Sequence, residues 1–187
     1  LCRRHGVHTP EDPWLTWTGP GGPQTIALVF CLYDYSFRPD EVSREAVLEW
    51  AIEEGIRSTD EWLLATDPYP RIDDWCDARV AIEEARLSAV KGRMVLVNHY
   101  PLRRDLVRLF RIPRFTPWCG TRRTEDWHRL FDVSVVVTGH LHMRATDWRD
   151  GVRFEEVALG YPRHWRKERG VEGYLREILP GPAEPGP

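Results

Sequence analysis

Three histidines follow short apolar runs, where an enzyme would place metal ligands. His140 and His142 lie in Thr-Gly-His-Leu-His, directly after the apolar run 133–137, and His99 lies in Val-Asn-His-Tyr-Pro after the run 94–97. Neutral imidazole binds zinc, iron and manganese. Gly139 is expected to let the backbone bend so that His140 and His142 face one pocket. The pattern predicts a metal site, although a single histidine at a strand end can also be structural.

The elements around these histidines alternate between strands and helices. Buried strands are predicted from continuous apolar runs, and a hairpin from the Asp150-Gly151 turn, at 25–33, 94–97, 133–137, 143–149 and 152–159. Helices are predicted from caps and amphipathic spacing at 40–54, 74–90 and, more briefly, 124–131. This alternation predicts an α/β fold, and open α/β sheets carry their sites at the C-terminal ends of strands.

The two histidine blocks, in this order, resemble the end of the calcineurin-like metallophosphoesterase signature. That signature has five ordered blocks and closes with a lone histidine after a strand and a Gly-His-x-His, which here correspond to His99 and to residues 139–142. The resemblance runs from about Thr25 to Trp165. It implies a four-layer α/β/β/α fold, a β-sandwich flanked by helices, and a dinuclear centre of manganese, iron or zinc. His99 and His140 would then bind one ion and His142 the other.

The first three blocks of that signature do not precede His99. They are Asp-x-His, Gly-Asp-x-x-Asp and Gly-Asn-His-Asp/Glu, and in the family they supply carboxylate and asparagine ligands and the general-acid histidine. No catalytic residue is therefore assigned, and the source of the carboxylate ligands stays open. Because the chain begins at Leu1 without a methionine, about where the third block would end, we expect the N-terminal strands to be missing and the 187-residue chain alone to be a weak phosphatase or none.

The boundaries of the domain follow from composition. Residues 1–179 are predicted to be the C-terminal part of a single domain. The stretch 180–187 is rich in proline and glycine and is predicted to be a disordered tail.

Other residues are weaker candidates for the same site. Asp34 ends a buried run and could face the pocket as a substrate contact, with a turn acceptor as the alternative. His164 follows the last strand and is a candidate for lining the pocket. Arginines crowd the segment 103–123 between the two histidine blocks. They could clamp a phosphate through paired hydrogen bonds, with a solvated surface as the alternative.

Composition argues against a general nucleic-acid-binding protein and against a membrane-spanning one. The formal net charge of -3 gives no general attraction to nucleic acid, which is expected only as a possible substrate. The four cysteines form no Cys-x-x-Cys pair, and no apolar run approaches the length needed to cross a bilayer. We therefore predict a cytoplasmic protein with no membrane partner.

Two functions fit these observations. The first is a metal-dependent phosphoesterase that hydrolyses a phosphate mono- or diester by a metal-bridged hydroxide. The alternative is a non-catalytic binding or regulatory module that keeps the fold and lacks the full metal shell. A nucleic-acid binder using residues 103–123 is disfavoured by the negative net charge. The substrate and the oligomeric state are left open.

Overall fold

The computed structural model describes residues 1–183, and in them a six-stranded sheet in the order β1-β2-β3-β4-β6-β5. The strands are β1 (Leu15–Trp17), β2 (Gln24–Leu28), β3 (Met94–Val97), β4 (Val133–Thr138), β5 (Arg144–Arg149) and β6 (Val152–Val157). The strands β2, β3, β4 and β6 run parallel, and β1 and β5 pair antiparallel at the two edges. The C-terminal ends of the parallel strands therefore meet at one edge, which brings both histidine blocks together.

Four α-helices accompany the sheet in the described range: α1 (Val47–Ile52), α2 (Asp60–Leu63), α3 (Ile72–Ser88) and α4 (Trp127–Leu130). The longest, α3, shares the main apolar core with the central strands through residues such as Cys76 and Val80, which are fully buried beside Leu96 and Val136. This face of the sheet is the hydrophobic centre of the molecule.

The opposite face of the sheet carries a smaller apolar cluster. Val95, Val135 and Val137 are buried there, and Ile178 and Leu179 pack against them. Arg153 contacts the residues that follow Leu179, and it donates a hydrogen bond to the carbonyl oxygen of Pro182 at 3.0 Å. The predicted disordered tail, 180–187, thus has contacts at its first residues, and its last part, 184–187, lies outside the described residues.

The α/β class predicted from the sequence is confirmed. The four-layer architecture is not seen in residues 1–183, which contain one sheet rather than two. Predicted helix 74–90 corresponds to α3, whereas the helix predicted from Asp40 begins only at Val47, after a series of turns.

The first central strand is shorter than predicted, since β2 ends at Leu28. The reason is the side chain of Asn98, which directly follows the neighbouring strand β3. Asn98 accepts a hydrogen bond from the N–H of Cys31 at 2.9 Å and donates one to its carbonyl oxygen at 3.0 Å. Because a side chain replaces the strand ladder at this point, a buried apolar run continues without being a strand.

No helix in residues 1–183 has the length and apolar character required to cross a membrane.

Candidate active site

The two histidine blocks form one structure at the ends of β3 and β4. The N–H of Gly139 donates a hydrogen bond to the carbonyl oxygen of His99 at 3.0 Å, so the two loops are joined through their backbones. The side chains also meet, with His140 Nδ1 3.2 Å from His99 Nε2. His142 lies in the wall of the same cavity, and its ring packs edge-on against Tyr161 at 4.4 Å between centroids. The structure therefore brings together the three histidines predicted from sequence.

The imidazoles of His99 and His140 are neutral at pH 7. Burial lowers the pKa of His140 to about 3, and His99 and His142 lower it further because a second positive charge would be repelled. Partial burial also lowers the pKa of His99, although the negative charge of Asp60 opposes that shift. Neutral imidazoles keep the nitrogen lone pairs that a metal ligand needs.

A single atom tests whether these residues fit a metal ion. His140 Nε2 is shielded from solvent and has no well-formed hydrogen bond among the described residues, although the backbone of Trp118 is close enough to oppose the lowering of the pKa of His140. Buried polar atoms almost always have a partner, and an imidazole nitrogen without a strong one can serve as a metal ligand. The residues present thus fit the imidazole side of a metal site.

The remaining ligands of such a site are not assembled within the described residues. In residues 1–183, no group of three or more His, Cys, Asp or Glu side chains is arranged closely enough to hold an ion. His99 and His140 form a close pair, and the assignment of His142 to a second ion stays a prediction.

The turn that carries His140 and His142 is built differently from the prediction. Gly139 does not have a positive φ, and a Cβ placed on it would meet no atom within 4 Å. His142 itself adopts the left-handed conformation, with φ 54°. The expectation that Gly139 provides the bend was therefore wrong, and the strained position belongs to a candidate ligand, as is common at functional sites.

Glu156 on β6 holds this turn, a role that was not predicted from the sequence. Its carboxylate accepts hydrogen bonds from the Leu141 N–H at 3.2 Å and from the Thr138 hydroxyl at 2.9 Å. Burial raises the pKa of Glu156 to about 7. The available signal was the pair of consecutive glutamates, Glu155 and Glu156, inside a strand that is buried along most of its length.

Asp60 is a second residue of the site that was not predicted from the sequence. It lines the same cavity as the histidines, together with Ser58 and Thr59. The Tyr100 hydroxyl donates a hydrogen bond to Asp60 Oδ2 at 3.0 Å. No local sequence signal marks this position, which belongs to a segment predicted to be a loop.

The weaker candidates lie elsewhere. Asp34 accepts hydrogen bonds from the Ser36 N–H at 2.9 Å and the Thr121 hydroxyl at 2.8 Å, so it is a turn acceptor and does not line the histidine cavity. His164 is exposed and does not line the cavity either; its ring is 5.9 Å from that of Tyr161, which lies between it and His142. The expectation that Asp34 and His164 contact substrate in this cavity is therefore corrected.

Most of the arginines between the histidine blocks form ion pairs with carboxylates. Five of them form ion pairs, and these are Arg103, Arg108, Arg114, Arg122 and Arg123. None of the arginines at 103–123 is among the residues that line the histidine cavity. The solvated-surface interpretation describes these side chains better than the phosphate clamp.

Comparison with known proteins identifies relatives of the whole described chain. The protein is 46% identical over 185 residues to [acyl-carrier-protein] phosphodiesterase PptH from Mycobacterium tuberculosis, an alignment that covers 97% of this chain. The crystal structure of phosphopantetheinyl hydrolase (PptH) from the same organism superposes with a TM-score of 0.91 at 47% identity, covering 99% of this chain and 67% of that one. The chain belongs to the PptH family.

Membership of the PptH family corrects the resemblance drawn from the histidine blocks. No family model matches the chain, and neither comparison points to the calcineurin-like metallophosphoesterases. Two short blocks are a small part of 187 residues, whereas the PptH match extends along nearly all of them. The chain spans 57% of the length of the M. tuberculosis protein, so the match to PptH does not extend to the rest of that protein.

Proposed function

We propose that this protein is a metal-dependent phosphodiesterase that removes the phosphopantetheinyl group from an acyl carrier protein. The observation that carries the proposal is the close pair of neutral imidazoles, His99 and His140, at the strand ends of a chain in the PptH family. Hydrolysis would break the bond between phosphorus and the oxygen of the carrier-protein hydroxyl. Water would supply the new oxygen, and the proton would pass to the leaving alkoxide.

The cavity supports an organic phosphodiester as substrate. Its lining combines the three histidines and Asp60 with three apolar side chains, Leu109, Ile112 and Phe115. An apolar wall beside a polar reaction centre suits a phosphate that carries a long organic arm. A free inorganic phosphate would leave that wall in contact with water.

His99, His140 and His142 would hold the metal, and we propose two ions of manganese, iron or zinc. Bound there, such ions supply charge neutralisation of the phosphoryl oxygens and a nucleophile at neutral pH. The protein's own part is to keep His99 and His140 neutral and the turn in place. Burial keeps these two imidazoles neutral, and the hydrogen bonds that Glu156 accepts from Thr138 and Leu141 hold the turn.

The test uses mass spectrometry to monitor whether the full-length gene product releases phosphopantetheine from a holo acyl carrier protein. We expect activity that disappears on chelation and returns with Mn²⁺. Replacing His99, His140 or His142 with alanine should lower kcat/KM by more than about 100-fold, because each would remove a metal ligand. Turnover that survives both chelation and all three substitutions would refute the proposal.

A non-catalytic binding module is the second candidate, favoured by the incomplete ligand group within residues 1–183. The same assay separates the two. A module would bind the carrier protein without releasing phosphopantetheine at any metal concentration, whereas the enzyme would release it.

A further inference from the structure

The segment after the last strand carries a run of exposed cations, residues 163–169, which we call the basic strip. It contains one carboxylate, Glu168, and four cations, which are Arg163, Arg166, Lys167 and Arg169. All seven residues of the strip are exposed. Five arginines of the segment 103–123 form ion pairs, whereas none of the four strip cations pairs with a carboxylate anywhere in residues 1–183. The strip is therefore a local excess of positive charge on a chain whose net charge is -3.

Two aromatic residues hold the backbone of the basic strip. The Trp165 indole N–H donates a hydrogen bond to the carbonyl oxygen of Leu159 at 3.1 Å. The Tyr174 hydroxyl accepts one from the backbone N–H of Arg166 at 2.7 Å. Because these bonds use an aromatic side chain and backbone groups, the backbone of the strip is held in place while the charged side chain of Arg166 stays exposed.

Tyr161 connects the basic strip to the histidine cavity. It lines the cavity, and its ring packs edge-on against that of His142, with 4.4 Å between the centroids. The guanidinium carbon of Arg163 lies 4.7 Å from the centroid of the same tyrosine ring, in a cation–π contact. The strip therefore begins at the rim of the cavity that contains the candidate metal ligands.

The chemistry of the substrate brings the carrier protein to this rim. The bond that is broken joins phosphorus to a hydroxyl oxygen of the carrier protein, and a single side chain separates that oxygen from the carrier-protein backbone. The long organic arm lies on the other side of the phosphorus and gives no extra reach. When the phosphorus lies in the cavity, the surface of the carrier protein around the hydroxyl must therefore lie against the rim.

We propose that the basic strip is the docking surface for an acidic face of the carrier protein. Exposed cations attract carboxylates across an interface and orient the partner as it approaches. The negative net charge of the chain opposes such a partner elsewhere on the surface, so local attraction by the strip directs it to the cavity. The same net charge disfavours nucleic acid as the occupant. The docking surface rests on the proposed function, because it takes the carrier protein as the substrate.

The experiment measures the Kd of the full-length gene product for an apo acyl carrier protein by biolayer interferometry. The apo form carries no phosphopantetheine, so binding is observed without turnover. Arg166→Glu combined with Lys167→Glu reverses two charges of the strip, and we expect the Kd to rise about 10-fold at about 20 mM NaCl. At about 500 mM NaCl the rise should be less than about 3-fold, because salt screens exposed charges.

The matched control reverses two exposed cations at the opposite end of the sheet. Lys91 and Arg93 precede β3, whose other end leads to His99, and Lys91→Glu combined with Arg93→Glu changes the net charge by the same amount. We expect the Kd of this control to stay within about 2-fold of wild type. Equal weakening in the two double variants would mean that net charge alone governs binding, and it would overturn the inference. A wild-type Kd in the strip variant would overturn it as well.

Thermal melting of the strip variant identifies loss of folding, in which case Arg166→Gln combined with Lys167→Gln replaces it. These neutral side chains should raise the Kd by about 3-fold, and an unchanged Kd would count against the docking surface. A double-stranded DNA oligonucleotide that binds the strip more tightly than the carrier protein does would also refute it. Failure of the proposed function has a different signature, in which the apo carrier protein still binds through the strip and the holo form releases no phosphopantetheine.

Discussion

Glu156 accepts a hydrogen bond from the backbone N–H of Leu141 at 3.2 Å, and this bond ties the last parallel strand to the turn between His140 and His142. The second oxygen of the same carboxylate accepts from the Thr138 hydroxyl at the end of β4. Strand β6 thus supports the candidate ligands on β4 without contributing a ligand itself. Such supporting bonds commonly decide how well a metal site is held.

Burial of Glu156 predicts that stability falls as the pH rises. Its pKa is raised from 4.5 to about 7, so the folded protein holds more protons than the unfolded chain between these values. The stability is present at pH 4.5 and is lost towards pH 7, by about 3 kcal/mol at most for a shift of this size. Urea unfolding across this range should show a flatter profile for Glu156→Gln. The exposed Glu41→Gln is the control, and identical profiles for Glu156→Gln and wild type would contradict the prediction.

The side chain of Asn98 is expected to be a major contributor to stability beside the site. It accepts from the Cys31 N–H and donates to the carbonyl oxygens of Cys31 and Tyr100, all in a buried setting. Asn98→Ala leaves these backbone groups unpaired, which we expect to lower the free energy of unfolding by about 2–4 kcal/mol. Chemical denaturation measures this, with Ser88→Ala on the surface of α3 as a control expected within about 0.5 kcal/mol of wild type. Equal stability of the two variants would show that Asn98 is dispensable.

Two glycines should differ in how strongly the protein is destabilised when each is replaced by alanine. Gly120 has φ 145°, and a Cβ there would clash with the Pro101 carbonyl oxygen and stand 2.8 Å from Phe37 Cε2. Gly120→Ala should therefore lower the free energy of unfolding by about 2 kcal/mol or more. Gly139→Ala meets open space and should cost less than about 1 kcal/mol. Thermal melting of both variants is the measurement, and the reverse order would mean that the turn does require Gly139.

His140 is expected to stay neutral over the physiological range. Burial lowers its pKa to about 3, so its ring should not titrate between pH 5 and 8. Proton NMR of the imidazole Cε1–H, assigned by loss of the signal in His140→Ala, follows this directly in metal-free protein. A titration midpoint above pH 6 would show that the ring is solvated and that burial does not lower its pKa.

Local features of the sequence predicted the strands that carry the histidines. Strand β3 has the predicted bounds, and β4 extends one residue past its prediction, to Thr138. A continuous apolar run forms a buried strand largely through its own composition. Its C-terminal end is then a position on the sheet edge. That His99 and His140 meet there depends also on β3 and β4 being parallel neighbours in the sheet.

The resemblance to a larger family is a different kind of prediction, and it was wrong. It depended on two blocks of a few residues, and such blocks can recur wherever a strand end displays histidines. The PptH match spans 97% of the chain and so includes the core and the connections as well. Family membership is a property of the whole sequence, whereas a ligand block is a property of one turn.

The α/β class and the positions of the three histidines at the ends of β3 and β4 could be predicted from the sequence, because strand formation and strand ends depend on neighbouring residues. Which carboxylates lie near those histidines could not, because it depends on how distant segments pack together. Asp60 and Glu156 reach the site from α2 and β6 through contacts between segments that are distant in the chain, as in the bond between Tyr100 and Asp60, which are 40 positions apart. The tertiary structure also placed Asp34 in a turn and His164 on the surface. Contacts of this range depend on how the whole core packs, and no local pattern records that packing.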